Sequence, residues 1–347
     1  MKTPISSIGE FGLIKRIAEK VNLYNKNTIK GIGDDTAVID ISDNKYLLFT
    51  TDLLIEGIHF NLVYTPLKHL GYKAVAVNLS DIAAMNGQPT HILVSIALSS
   101  KFTIELIDEL YEGIKIACNK YNVDLVGGDT SSSITGMMIS ISAIGFVDKN
   151  KITYRNTAKV NDFICVTGDL GAAFFGLKFL EREYILYEEF LKENKEKEFQ
   201  PDFKGYEYLL KRQLKPEPRL DIIRFFYDND IQPTSMIDIS DGLSSELHHI
   251  CFQSGVGCRI YQHKIPIAEE VYKASEEFNI APETAALNGG EDYELLFTIS
   301  EKDLHKVLYS KDISVIGQIC PNTEGLHMIT QQGNKIELLA QGWIHFK

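Results

Sequence analysis

Residues 67–85, LKHLGYKAVAVNLSDIAAM, follow Thr65-Pro66 and place Leu70, Ala74, Val77 and Ile82 at helical spacing. A proline at the entry presets the first turn, and the apolar period predicts one long helix with a buried face. The stretches on either side, 46–50 and 91–98, are runs of aliphatic, aromatic and β-branched residues that predict strands. Strand, helix and strand in succession make this an α/β (α+β) chain. Asp81 stands near the C-terminal end of the helix. A carboxylate there opposes the helix dipole at a cost of about 0.3–1 kcal/mol. A bound metal ion is one compensation.

Other acids stand at expected element ends. GIGDD (31–35) carries Asp35; TTD (50–52) carries Thr50, Thr51 and Asp52 at the end of the 46–50 strand. A short strand at 123–126 delivers GGDT, with Gly128 and Asp129. DISD (238–241) supplies Asp238, Ser240 and Asp241, and GGEDYE (289–294) supplies Glu291. Any one Asp in a Gly/Ser/Thr turn is ordinarily a helix cap or an Asx-turn. Caps do not require Asp-Asp or Thr-Thr-Asp several times over. The joint pattern suits hard cations bound to phosphate. Carboxylates hold Mg²⁺, hydroxyls complete its shell, and glycines let backbone N–H groups approach phosphate oxygens. Two carboxylates about 4 Å apart repel by about 4 kcal/mol at an effective dielectric of about 20. No side-chain cation lies within these segments, so convergence would call for several Mg²⁺ ions. The P-loop and the protein-kinase signatures are absent.

Further helices are expected over 7–21 (with a capping box from Ser7 to Glu10), 103–121, 220–227 and 244–253. Strands are expected over 137–147, 162–166, 257–261, 293–299 and 313–319. The chain divides into an N-terminal α/β domain, 1–150, and a C-terminal α/β domain, 151–347. The Glu-, Lys- and Tyr-rich stretch 181–204 predicts a solvated helix and loop without chemistry. GDLG (168–171) before a helix is either a phosphate cradle or an ordinary turn. His59 is either structural or a substrate contact. Arg155, in TYRNTAK, is either a surface charge or a guanidinium for a phosphate oxygen. His248 and His249 are expected to be structural or on the surface. The net charge of −12 over 347 residues argues against nucleic acid as a partner. The five cysteines show no CxxC spacing, which predicts buried thiols in a reducing cytosol. No apolar signal core or 18-residue apolar run is present, so a cytoplasmic protein without a membrane span is expected.

Taken in order, GIGDDTAVI (31–39), TTDLLIEGIHF (50–60), YKAVAVNLSDIAAMNGQP (72–89), LVGGDT (125–130), IDISDGLSSELHHI (237–250) and NGGEDYELLF (288–297) resemble the thiamine-monophosphate kinase family. The resemblance runs from Gly9-Glu10-Phe11 to Gly342-Trp343-Ile344. It implies a two-domain fold similar to aminoimidazole ribonucleotide synthetase, with N-terminal domains pairing in a homodimer. It implies that ATP phosphorylates thiamine monophosphate to thiamine diphosphate. By the same resemblance Asp35, Thr50, Thr51, Asp52, Asp81, Asp129, Asp238 and Asp241 fall at magnesium ligands. Tyr111, Gly128, Asp129, Arg155 and Ser240 fall at ATP contacts; His59, Glu291 and Trp343 fall at thiamine monophosphate contacts. Asp52, Asp81 and Asp129 are expected about the triphosphate, with Asp35 and Asp238 between donor and acceptor. The acceptor phosphate has a second pKa near about 6 and is largely dianionic at neutral pH, so no general base is expected. The alternative is another ATP-dependent synthetase of that superfamily, selenophosphate synthetase-like or aminoimidazole ribonucleotide synthetase-like. The former would show a reactive Cys or selenocysteine near its N-terminus, whereas the first Cys here is Cys118.

Overall fold

The computed structural model describes residues 4–193 and 199–340. The N-terminal part holds strands β1 (Thr28–Lys30), β2 (Ala37–Asp40), β3 (Lys45–Ile55), β4 (Gln88–Leu98), β5 (Asp124–Ser132) and β6 (Met138–Asp148). Its helices are α1 (Gly9–Ala18), α2 (Leu67–Ala84) and α3 (Ile104–Tyr121). The strands form one sheet in the order β1-β2-β3-β6-β4-β5, antiparallel except for the parallel pair β4–β5. Along β3, Leu48, Thr50 and Leu54 are buried while Phe49, Thr51 and Leu53 are exposed. That alternation is the period of a half-buried strand: one face of the sheet is covered and the other is open.

The cover is α2. An amphipathic helix would bury a stripe, but here almost every residue from Leu67 to Ala84 is buried. Val75, Leu79 and Ile82 pack with Leu48, Ile92, Ile141 and the rest of the first core. Ala83 and Ala84 instead join Ile222, Phe226, Met236 and Phe297 in a core of the C-terminal part. One helix is therefore the wall between both halves, which is why it is apolar all round. It meets α3 very closely: a Cβ on Gly71 would lie 2.1 Å from Leu110 O, and one on Gly113 would lie 1.9 Å from Lys68 O.

The C-terminal part has strands β7 (Phe163–Thr167), β8 (Ser235–Asp238), β9 (Val256–Tyr261), β10 (Leu295–Ile299), β11 (Ile313–Pro321), β12 (Leu326–Ile329) and β13 (Lys335–Glu337). They form a sheet in the order β13-β12-β9-β11-β7-β10-β8, with only β12–β9 parallel. Around it lie α4 (Ala172–Glu193), α5 (Glu207–Leu214), α6 (Leu220–Asp228), α7 (Leu243–Ser254), α8 (Glu269–Phe278), α9 (Pro282–Asn288) and α10 (Glu301–Val307). All five cysteines are free and buried. Among the described residues no helix is long and apolar enough to cross a membrane.

Several local expectations change. The capping box before α1 does not form: Ser7 Oγ donates to Pro4 O at 2.7 Å, and α1 has no side-chain cap. Asp52 lies inside β3, and Gly128 and Asp129 lie inside β5, because cross-strand pairing extends both strands past their acidic residues. Residues 181–193 are the second half of α4, whose inner side packs on the cleft described next, so their charges do not mark a purely solvated segment.

Candidate active site

Between the two sheets lies a cleft of about 650 Å³. From the N-terminal side β3 supplies Thr50 and Asp52, and α2 supplies Leu70, Lys73, Val77 and Asp81 from successive turns of one face. From the other side come Asp238 at the end of β8, then Ser240 and Asp241, and Glu291 from the turn before β10. Arg155 reaches in from the segment joining β6 to β7.

One carboxylate oxygen each from Asp35, Asp81 and Asp238 lies within 4.8 Å of the others. Asp81 Oδ2 accepts Thr50 Oγ1 at 2.6 Å, and Asp238 Oδ2 accepts Ser80 Oγ at 2.6 Å. The Asp52 N–H donates to Asn78 Oδ1 at 3.1 Å, leaving its carboxylate to the cleft. Burial disfavours every one of these charges. It pushes Asp35 up to about 8, with Asp238 and Asp34 adding to the rise and Arg155 opposing it. Asp52 rises to about 6 through burial and then the charge of Asp238. Burial also raises Asp81, helped by Asp52 and Asp238, and raises Asp238 against the hydrogen bond from Ser80.

A side-chain cation does reach the acids, contrary to the reading of the motifs alone. Arg155 Nη2 lies 2.5 Å from Asp35 Oδ1, and Arg155 Nε lies 3.4 Å from Asp34 Oδ1. The joining segment runs beside β8, where Met236 N–H donates to Tyr154 O and Ser235 Oγ donates to Arg155 O, and this brings the guanidinium inward. Arg155 is thus no surface charge. Even so, Asp35 Oδ2 is buried and accepts no hydrogen bond. An orphaned carboxylate oxygen among an all-oxygen donor set fits a hard divalent cation.

The GGEDYE turn is strained. Glu291 and Tyr293 have φ of +59° and +51°, in the left-handed region that non-glycine residues enter at a cost. Glu291 N–H donates to Ser240 O at 2.7 Å and Tyr293 N–H to Ile239 O at 2.9 Å, so two of the acidic segments are tied into one unit. Asp292 of this turn accepts the N–H groups of Gly171 at 2.8 Å and Ala173 at 3.4 Å. The start of α4 is capped by a carboxylate, so GDLG is an ordinary turn here and not a phosphate cradle. His59 lines the cleft, and its Nδ1 accepts the Ile55 N–H at 3.0 Å, which leaves the ring proton on Nε2.

Not every expected residue converges. Thr51 borders the cleft, but its hydroxyl is turned to the open face of β3, where it accepts Ser142 Oγ and donates to Ile141 O, each at 3.1 Å. Asp129 pairs with Ser95, which pairs with Ser140, which pairs with Leu53. Register partners share a face, so Asp129 belongs to that open face too, away from Asp52 and Asp81. Gly128 is its neighbour on the exposed edge strand. Tyr111 packs half-buried on α3 against the first core, not in the cleft. Trp343 lies outside the described residues.

Other cleft residues escaped the sequence reading. Glu246 is buried beside Asp241: its Oε1 accepts the Asp241 N–H at 3.0 Å, while its Oε2 has no hydrogen-bond partner. Burial, then Asp241, raises its pKa well above the usual range. Its position after DISDG on α7 was the available signal. His249 also lines the cleft, and burial lowers it to about 4, with Arg155 adding to the effect. Tyr64, Glu181, Ile58, Phe60, Leu177 and Leu180 also line the cleft. Lys73 and Gln213 complete it.

Residues 33–147, which carry most of the N-terminal sheet and α2, match the family described as AIR synthase related protein, N-terminal domain. Thiamine-monophosphate kinase of Buchnera aphidicola subsp. Schizaphis graminum is 38% identical over 348 residues, covering 97% of this chain and 98% of the relative. That of Bacillus subtilis is 33% identical over 344 residues, covering 97% and 99%. The structure of AaThiL complexed with AMPPCP and TMP covers 100% of both chains, with a TM-score of 0.82 and 32% identity. The chain belongs to the thiamine-monophosphate kinase family and is an enzyme of that phosphotransferase class.

Proposed function

We propose that this enzyme transfers the γ-phosphoryl group of ATP in line to the phosphate of thiamine monophosphate, giving thiamine diphosphate and ADP with several Mg²⁺ ions. The observation that carries the reading is the meeting of Asp35, Asp81 and Asp238 within 4.8 Å, in a cleft wide enough for two substrates. Kinship to the AaThiL complex with an ATP analogue and TMP supports both substrates. Asp35, Thr50, Asp52, Asp81, Asp238 and Asp241 would hold the metal, which supplies charge neutralisation at the transferring phosphoryl group.

The protein's own groups supply position. Asp35 and Asp81 come from the N-terminal half and Asp238 from the C-terminal half, so the reaction centre is the seam. Arg155, paired with Asp35 and Asp34 at the edge of the acidic cluster, would turn its guanidinium to a phosphate of ATP beside the residues that would hold the metal. Ser240 borders the same region. His59 presents Nε2–H, and Glu291 a carboxylate, to the organic half of the acceptor. The acceptor is dianionic near neutral pH, and none of these acids is assigned as a base. We further propose that two copies pair through the open face of the N-terminal sheet, and that Thr51, Gly128 and Asp129 act only in that pair.

Incubation with ATP, Mg²⁺ and thiamine monophosphate should yield thiamine diphosphate and ADP in equal amounts. No product there, with turnover of an aminoimidazole-ribonucleotide precursor or of selenide instead, would overturn the assignment.

A further inference from the structure

A buried lysine in a cleft built for phosphates is expected to bind phosphate. Lys73 does something else. It is 5% exposed, and its Nζ lies 2.9 Å from Glu291 Oε1 and 3.1 Å from Gln213 O. Gln213 Nε2 in turn donates to Glu291 Oε2 at 2.7 Å. Both oxygens of one carboxylate are therefore gripped, by a cation on α2 and an amide on α5. Eight residues of helix separate Lys73 from Asp81, about 12 Å along the axis. Lys73 thus stands two turns from the acidic centre, at the end of the cleft that Tyr64 and Leu70 line.

The grip matters because Glu291 is otherwise free to swing. Its backbone is fixed by strain and by the bond to Ser240 O, but its side chain is 29% exposed to the cleft. A carboxylate offers about four lone-pair sites, so two donors still leave acceptor capacity for a ligand. Charge-assisted bonds from two directions restrict which way that capacity points. We propose that Lys73 and Gln213 are positioning residues that aim the Glu291 carboxylate at the organic, phosphate-free half of the acceptor, and that Lys73 is not a phosphate ligand. The inference rests on the reading of this cleft as the thiamine monophosphate site.

The test uses full-length protein and two ligands that differ by one phosphate, thiamine and thiamine monophosphate, with binding followed by calorimetry. Lys73→Met keeps chain length and removes the charge. It should weaken both ligands by a similar factor of about tenfold, the scale of one lost charge-assisted hydrogen bond. In turnover, KM for thiamine monophosphate should rise by a similar factor, while KM for ATP and kcat change less than about twofold. Lys73→Met combined with Glu291→Gln should be no worse than Glu291→Gln alone, since one contact is lost in either case. Lys73→Arg should restore part of the affinity. Weakened thiamine monophosphate with unchanged thiamine, or a raised KM for ATP, would make Lys73 a phosphate ligand and overturn the proposal. Additive losses in the double variant would overturn it as well. Should Lys73→Met not fold, Gln213→Leu removes only the amide donor and should raise KM for thiamine monophosphate alone; no change there counts against the proposal. Wild-type protein that binds and turns over neither ligand would instead remove the functional reading beneath it.

Discussion

At the scale of single residues, Asp52 separates metal binding from capping. Its backbone N–H is bonded to Asn78 and its carboxylate faces the cleft, so the fold does not need the charge. Asp52→Asn should lower turnover by at least about a hundredfold, the order expected when a group supporting a metal site is lost. Without ligands the variant should melt at the same temperature or higher, because repulsion from Asp238 is relieved. Mg²⁺ with ATP should then raise its melting temperature less than that of the parent. A variant that is unfolded without ligand yet normally active in its folded fraction would return Asp52 to a structural role. The hydroxyl of free thiamine differs from a phosphate in needing deprotonation before attack. Free thiamine should therefore bind without being phosphorylated; comparable turnover of the two acceptors, measured as thiamine monophosphate formed, would disprove the base-free mechanism.

At the scale of elements, α2 carries both the fold and the chemistry, and it is also where sequence and structure can be weighed. Its helical period and Asp81 were legible because each depends on local spacing. Lys73 was not: its meaning comes from Gln213 and Glu291, each more than a hundred residues away in sequence, and isolated lysines usually snorkel to water. Arg155 is open in its local sequence between a surface charge and a phosphate-binding guanidinium, and the pairing of its segment with β8, which turns it inward, decides against the surface. The GDLG turn was ambiguous because a phosphate and the Asp292 carboxylate satisfy the same helix N–H groups. Thr51 and Asp129 stand in the same motifs as the cleft acids, but motif order says nothing about which sheet face a side chain occupies. Gly71 gives the element a direct test. A Cβ there would meet the backbone of α3 at 2.1 Å, which cannot yield as a side chain would. Gly71→Ala should cost more than about 1 kcal/mol, within the overpacking range, although alanine is the better helix former. By shifting α2 it should also reduce kcat of the folded fraction. Stabilisation in thermal unfolding would mean that the α2–α3 contact is looser than described.

At the scale of the whole molecule, a chain carrying −12 formal charge buries several of its acids in and beside one cleft, and its pH dependence should show it. Asp35 is raised to about 8 and Asp292 to about 7, burial being the first cause of each. Folded protein therefore binds more protons than unfolded protein in that range, and stability must fall as pH rises. His249, lowered to about 4 by burial, acts in the opposite sense only below its ordinary value of 6.5. The clean window is thus pH 6.5–8, where the melting temperature of metal-free protein should decline, and decline less with Mg²⁺ present. A flat melting temperature over that window would mean that these acids are already ionised in the folded protein and that their pKa values are not raised. The open sheet face makes the last demand. Phe49 and Leu53 are 39% and 49% exposed, on the side of β3 opposite the buried Leu48 and Thr50. Leu93 lies in the cross-strand row of Thr51 and Ser142, so the exposed apolar groups share one surface with Thr51 and Asp129. Contiguous apolar surface beside functional polar groups marks a contact site, and a second copy paired about a two-fold axis would bury it symmetrically. Phe49→Lys places a charge on that surface at a residue that does not line the cleft. Light scattering at micromolar concentration should give a dimer for the parent and a monomer for the variant. If Asp129 serves the reaction only across the pair, the monomeric variant should also lose activity in proportion to its dissociation. A parent that is monomeric and fully active would end both the pairing and the role of Asp129.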